Sequence, residues 1–180
     1  VKIDGTVELV RPGTLLRSVR LSTEPAIAAM AGAISTLNSY PYACTEQRIA
    51  KVHAGLAVER FGSALGATGA TKPLSQALAQ TLAYIEAARD DRGLVGYWPG
   101  SRGYVSLTAW SFQLVISARR AGHAVPADLE AQLAQTLQRS LRSDFPGLVQ
   151  GSEFAERVWA LAALNDAGLA DPGYASELAT

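Results

Sequence analysis

The spacing of apolar and polar residues changes near Ser22. From Lys2 to Val10 the two alternate (Lys-Ile-Asp-Gly-Thr-Val-Glu-Leu-Val), Arg11-Pro12-Gly13-Thr14 then turns, and Leu15 to Leu21 alternates again. Alternation is the side-chain period of a strand, so two short strands joined by a Pro-Gly turn are expected here. Two strands alone are only marginally stable in water, and these should belong to a larger sheet. Beyond Ser22 the apolar spacing becomes helical. Thr23-Glu24-Pro25 suits a helix start before Ala26 to Leu37, because Pro is tolerated in a first turn. A second helix is expected from Cys44 to Phe61, ended by Gly62. A third follows Thr71-Lys72-Pro73, with Leu74, Leu78, Leu82 and Ile85 on one stripe. The fourth spans Ser106 to Ala121, and the fifth starts at Pro126 with Leu129, Leu133, Leu137 and Leu141 four residues apart. The sixth runs from Ser152 to Asn165 with Phe154, Val158, Leu161 and Leu164 as its apolar positions. Asp171-Pro172 reads as an N-cap followed by Pro at the first helical position of a seventh.

Segments recur within this helical part. Ala121-Gly122-His123-Ala124-Val125-Pro126 returns 46 residues later as Ala167-Gly168-Leu169-Ala170-Asp171-Pro172, and Gly93-Leu94-Val95 returns 54 residues later as Gly147-Leu148-Val149. Repeats of this length built from paired helices indicate a helical array, either an open solenoid or a closed ring of hairpins. The turn Gly93-Leu94-Val95-Gly96-Tyr97-Trp98-Pro99-Gly100 fits a tight corner between hairpins, with Trp98 packed into the array. The chain therefore divides into a β segment, residues 1–22, and a helical part, residues 23–180.

Composition narrows the classes of function. The chain of 180 residues is 48% hydrophobic and 18% charged, which is a globular balance, and its sixteen basic residues equal its sixteen acidic ones. No net field draws nucleic acid or an anionic membrane. No apolar run approaches the ~20 residues of a transmembrane helix. The chain opens without Met inside a strand-like pattern and carries no charged-then-apolar leader, so a cytosolic protein or a piece of a longer one is expected, the second being favoured. The single cysteine rules out a disulfide framework and a cysteine-based metal cluster.

That cysteine stands in Cys44-Thr45-Glu46-Gln47. Residues three apart at a helix start share a face, so the Cys44 sulfur and the Gln47 carboxamide can touch. A cysteine in the first helical turn has its thiolate stabilised by free backbone N–H groups and the macrodipole. Such a thiolate beside an amide carbon can displace ammonia to give an intramolecular thioester, and the same stabilisation makes it a good leaving group afterwards. The chemistry alone equally allows a small buried cysteine beside a surface glutamine.

Tyr40-Pro41-Tyr42-Ala43-Cys44-Thr45-Glu46-Gln47 resembles the thioester motif of the alpha-2-macroglobulin and complement family, typically Pro-Tyr-Gly-Cys-x-Glu-Gln set between two helices. The order of strand (Val19 to Leu21), helix (Ala26 to Leu37) and motif is similar too, and Gly96-Tyr97-Trp98 with Ser106-Leu107-Thr108-Ala109-Trp110 resembles the family's aromatic turn and helix opening. The likeness runs from about Val7 to Tyr174. Tyr-Pro-Tyr before Cys-x-Glu-Gln looks like the bacterial branch.

The resemblance implies a mainly α fold, about half of an α/α toroid of helical hairpins, preceded by strands of an adjoining β-sandwich domain. It implies a covalent protease inhibitor rather than an enzyme. Bait cleavage elsewhere in the full protein would expose a Cys44–Gln47 thioester, which then acylates a lysine of the protease. No cofactor or metal is implied. The implied partners are target proteases and the remaining domains of the parent protein, and the implied location is the periplasm, with a lipid anchor on the parent. Glu46, Tyr40 and Tyr42 are supporting candidates.

Two departures bear on this. Ala43 replaces the usual Gly before the cysteine, which would strain the loop by ~1 kcal/mol if positive φ were needed there. The histidine that serves as base in hydroxyl-preferring complement members has no counterpart around Gly151 to Arg157, so amines are the expected nucleophiles. His123 is expected on the surface of an inter-helix loop, and His53 on the far side of its helix or in the core. Glu46 also fits a first-turn helix acid, and Asp90-Asp91 a solvated turn. Tyr40, Tyr42, Tyr97 and Trp98 could shield a thioester or simply pack. Two other readings stand beside the trap: a hydrolase with Cys44 as nucleophile, which needs a neighbouring His, and a helical-repeat binding module in which Cys44 and Gln47 never join.

Overall fold

The computed structural model describes Thr23, residues 43–61 and residues 71–178. The strands expected within residues 1–22, the helix at 26–37, Tyr40 and Tyr42 lie outside the described residues. Within them the elements follow as α1 (Thr45–Phe61), α2 (Thr71–Ala87), β1 (Val95–Gly96), β2 (Gly103–Tyr104), α3 (Val105–Arg120), α4 (Ala127–Ser140), α5 (Glu153–Asp166) and α6 (Pro172–Leu178). Most helix boundaries fall within a residue or so of those expected from periodicity; α2 already begins at Thr71, with Pro73 inside its first turn.

The leucine stripes do what their spacing predicts. Leu74, Leu78, Leu82 and Ile85 of α2 are buried, as are Leu129, Leu133 and Leu137 of α4 with Leu141 beyond its end. Helix α3 is different: ten of its sixteen residues are buried, including Leu107, Thr108, Phe112, Leu114 and Val115. A helix apolar nearly all round must be enclosed by others. Accordingly α3 packs against α1, α4, α5 and both strands. Helices α1 and α2 pair, α3 and α4 pair, and α5 and α6 pair, while α3 also bridges α1 and α5. The result is a row of hairpins with α1, α3 and α5 as neighbouring members. Gly55 in α1 allows close approach of Leu74 from α2, where a Cβ would collide.

The 46-residue repeat is a repeated helix stop. Gly122 and Gly168 have φ of 85° and 74°. His123 N–H donates to the Ala118 carbonyl at 3.0 Å and Leu169 N–H to the Leu164 carbonyl at 2.8 Å. Gly122 and Gly168 N–H donate to the carbonyls of Arg119 and Asn165. Both ends are Schellman motifs, in which a glycine in the left-handed region lets two orphan carbonyls find donors. The Gly-Leu-Val repeat does not correspond in this way. Gly93 has φ of 85° whereas Gly147 is not in that region, and the two segments meet each other, with Leu94 against Gly147.

Helix α5 corrects the sequence reading of its face. Phe154 is 64% exposed and Trp159 52%, and Val158 is exposed as well; the buried positions are Glu156, Ala160, Ala163 and Leu164. Two alanines let α5 lie close to α3. Glu156 is buried because its Oε2 accepts the Val149 N–H at 2.8 Å. Small size and one satisfied carboxylate outweigh side-chain hydrophobicity in choosing this face.

Candidate functional site

Cys44 precedes α1 instead of lying in its first turn, as its N-cap. Its carbonyl accepts the Arg48 N–H at 3.0 Å, the first bond of the helix. Gln47 is then the third helical residue, and its side chain turns back so that Oε1 accepts the Cys44 N–H at 3.3 Å. This is the Gln half of a capping box, in which the third helical residue satisfies the N–H of the cap. It folds the carboxamide over the cysteine. The Cys44 side chain is 6% exposed and unpaired with any other cysteine. The start of α1 thus forms a corner in which the Gln47 carboxamide oxygen meets the Cys44 backbone N–H, with Cys44 buried and Gln47 half-buried. Among the described residues positive φ is confined to glycines.

The corner is held from a distance. Thr45 is fully buried. Its N–H donates to the Tyr97 carbonyl at 3.0 Å. Its hydroxyl donates to the Gly96 carbonyl at 2.7 Å and lies 3.1 Å from that of Tyr97. The start of α1 is thereby latched to the β1–β2 ribbon, whose register pairs Val95 with Tyr104 and Gly96 with Gly103. A Cβ on Gly103 would run into the Leu94 backbone, so the crossing tolerates only glycine. Val95 N–H donates to the Thr108 hydroxyl at 2.8 Å, which donates to the Tyr104 carbonyl at 2.7 Å. The ribbon is thus fastened to α3 as well. Thr45→Val keeps the buried shape and removes the hydroxyl, and should cost about 1–2 kcal/mol in denaturant unfolding, because the buried Gly96 carbonyl loses its donor while the Tyr97 carbonyl keeps the backbone N–H; an unchanged midpoint would show the latch to be idle.

Asp90 organises the same ribbon, and it is not the solvated turn residue expected. Its side chain is 10% exposed. Oδ1 accepts the N–H groups of Arg92 at 3.0 Å and Leu94 at 2.9 Å. Oδ2 accepts Gly103 N–H at 3.1 Å and the Arg92 guanidinium at 2.8 Å. Burial alone would raise its pKa; the bonds from Arg92, Leu94 and Gly103 and the Arg92 charge outweigh that and hold the carboxyl below its ordinary value. Asp91 is exposed.

Glu46 is an exposed acid in the first turn of α1. Its charge reaches Tyr97: burial first, then Glu46, Tyr104 and Cys44, push the Tyr97 phenol above its usual pKa, keeping it protonated at neutral pH. Tyr97 stacks edge-on against Tyr104 with centroids 5.5 Å apart. Trp98, expected to pack into the array, is 49% exposed. His53 lies against α3, its ring stacked on Trp110 at 6.5 Å, and burial lowers its pKa. His123 is not a free surface residue, since its Nε2 meets Glu59 Oε2 of α1 at 2.6 Å. Sequence reasoning missed Thr45 and Arg48. Arg48 Nε donates to the Ala43 carbonyl at 2.8 Å, and its guanidinium carbon sits 4.2 Å from the centre of the Tyr84 ring. Its place four residues after Cys44 was a usable signal, because such pairs share a helix face. Thr45 gave none, since its partners lie about fifty residues away.

No protein-family model matches this sequence, and no curated protein matches it. Solved structures do. A native alpha-2-macroglobulin from Escherichia coli is similar with a TM-score of 0.70 and 24% identity, over 83% of this chain and 25% of that one. A Salmonella alpha-2-macroglobulin reacted with methylamine gives 0.72 and 25%, over 83% of this chain and 10% of that one. A cryo-EM reconstruction of the native Escherichia coli protein gives 0.72 and 23%, with the same coverage. This chain spans a quarter or less of the length of those it matches, and it has the fold of a helical portion of bacterial alpha-2-macroglobulins.

Proposed function

We propose that Cys44 and Gln47 form an internal thioester and that the chain is the reactive part of a covalent protease trap. The observation that carries this is the Gln47 carboxamide turned back onto Cys44, whose N–H it accepts at 3.3 Å, beside a buried thiol. In formation Sγ bonds to Gln47 Cδ, the Cδ–Nε2 bond breaks, and ammonia leaves with the thiol proton. In capture an amine nitrogen bonds to Cδ, the Cδ–Sγ bond breaks, and the amine proton ends on Cys44. Gln47 is the acyl donor and Cys44 the leaving group. A lysine of a protease that has cut a bait region elsewhere in the parent is the amine. The event happens once per molecule, so this is a trap rather than an enzyme.

The fold likeness supports this reading, and so does the Salmonella relative having been reacted with methylamine, a small amine. The row of hairpins suits about half of an α/α toroid, with residues 1–22 as strands of an adjoining sandwich domain. Tyr40 and Tyr42 precede Cys44 in the motif, and aromatic cover from them would slow hydrolysis; Tyr97 is tied to α1 through its carbonyl. The same likeness supports reading the parent as a periplasmic protein with further domains. Among the described residues no helix is long and apolar enough to cross a membrane. The hydrolase reading gains nothing, as His53 stands nine residues past Cys44 along α1 with its ring stacked on Trp110, and His123 is held by Glu59.

The natural gene product treated with methylamine tests this. Intact mass should start one ammonia short, then gain one methylamine, while one thiol becomes titratable at Cys44. A thiol free from the outset, with no mass deficit, sinks the proposal.

A further inference from the structure

The peptide group between Ala43 and Cys44 is gripped at both ends. Its carbonyl accepts Arg48 Nε at 2.8 Å, and its N–H points to Gln47 Oε1 at 3.3 Å. Arg48 is itself fixed, because its guanidinium lies 4.2 Å from the Tyr84 ring centre on α2. A cation over an aromatic face is held electrostatically and by stacking, and a planar guanidinium loses little freedom there.

Resting on the thioester reading, we propose that the Cys44 N–H is the oxyanion donor of this site and that Arg48 is the positioning residue that aims and polarises it. Both chemical steps pass through a tetrahedral carbon at Gln47 Cδ. When Sγ attacks, the Cδ–Oε1 double bond opens and Oε1 becomes negative; when the carbonyl re-forms, ammonia is expelled. When an amine later attacks, Oε1 becomes negative again, and the thiolate is expelled. Among the described residues the donor already on Oε1 is the N–H of the nucleophile's own residue. A nucleophile's own N–H serves the same purpose in serine proteases. At 3.3 Å the bond is long for the neutral carboxamide, and it should tighten as charge builds. The positive charge on the far end of the same peptide strengthens that N–H, because hydrogen bonds in a chain polarise one another. Tyr84 keeps the guanidinium in place while the charge develops, so no reorganisation is needed at the moment of reaction.

The test uses the natural gene product with Arg48→Gln and Arg48→Lys. Four quantities are read: the ammonia deficit, the second-order rate constant for methylamine, the thioester carbonyl stretch in a native-minus-methylamine infrared difference, and the thermal midpoint. Arg48→Gln should lower the methylamine rate about tenfold, below the effect of deleting an oxyanion donor because Arg48 acts through the peptide, and should move the carbonyl stretch to higher frequency as polarisation is lost. Arg48→Lys should fall between the wild type and Arg48→Gln on both readouts. A wild type with the deficit, whose Arg48→Gln variant keeps the wild-type rate and stretch, would overturn the role of Arg48 and leave the thioester standing. A wild type without the deficit would remove both. If Arg48→Gln does not fold, the Arg48→Lys stretch decides, and no shift from the wild type overturns the proposal.

Discussion

Replacing Cys44 with alanine should abolish covalent capture entirely, while costing the fold only about 1 kcal/mol for one buried sulfur. No other side chain at the site is a candidate to hold the Gln47 acyl group in activated form. A carboxamide left without the thiol is inert to lysine at neutral pH. The variant should show no ammonia deficit, no methylamine gain and no protease-linked band on denaturing gels. Gln47→Ala should give the same chemical result with a different stability signature. The Cys44 N–H then loses its acceptor, and a buried donor left alone costs about 1–3 kcal/mol. If Cys44→Ala still yields protease-linked species that survive denaturation, the acyl group comes from elsewhere and the assignment to Gln47 fails.

Replacing Asp90 with alanine should have the largest effect on stability, about 3 kcal/mol or more, because it leaves the N–H groups of Arg92, Leu94 and Gly103 and the Arg92 guanidinium without their acceptor at once. The loss also bears on the site. Asp90 fixes the ribbon whose carbonyls, at Gly96 in β1 and at Tyr97 just after it, grip Thr45 beside Cys44. A molecule that does fold should therefore lose its thioester to water faster than wild type. The effect depends on pH with a definite sign. The folded carboxyl titrates below its usual value. Its contribution is therefore fully present above the unfolded pKa, about 3.9, and is lost as pH falls through the lower folded value. Urea unfolding of the wild type and Asp90→Ala should differ most near neutral pH and converge in acid. A gap that stays constant from neutral pH into acid would mean that packing, not the charged carboxylate, supplies the stability.

How far apart partners lie along the chain decides which features are legible in the sequence. Helix ends were legible because their chemistry is local. Asp171 accepts Gly173 N–H at 2.8 Å as an N-cap should, and Gly122 and Gly168 stop their helices alike. The leucine stripes of α2 and α4 followed from period alone. The bond from the Cys44 N–H to Gln47 is local in the same way: cap and third helical residue are neighbours whatever the rest of the chain does.

Where a choice depended on what lay opposite, spacing misled. The most apolar side of α5 was expected to be buried, yet Ala160, Ala163 and Glu156 face inward while Phe154 and Trp159 face out. Close helix approach rewards small residues, and a carboxylate can be buried once a backbone N–H meets it. Asp90 looked like a solvent-facing turn residue because three of its donors come from its own loop but the fourth, Gly103, arrives from the next strand.

The sequence by itself determined that the described part is helical, that its helices recur as hairpins, and that Cys44 and Gln47 fall together at the start of α1. Each of these rests on bonds spanning a few residues, and such bonds need no knowledge of the fold. Only the tertiary structure decided that Thr45 is latched to Gly96 and Tyr97, that Arg48 is anchored on Tyr84 of the next helix, and that Cys44 sits buried beside them. Those contacts join residues dozens of positions apart, and their energy exists only once packing has brought the ribbon and α2 against α1.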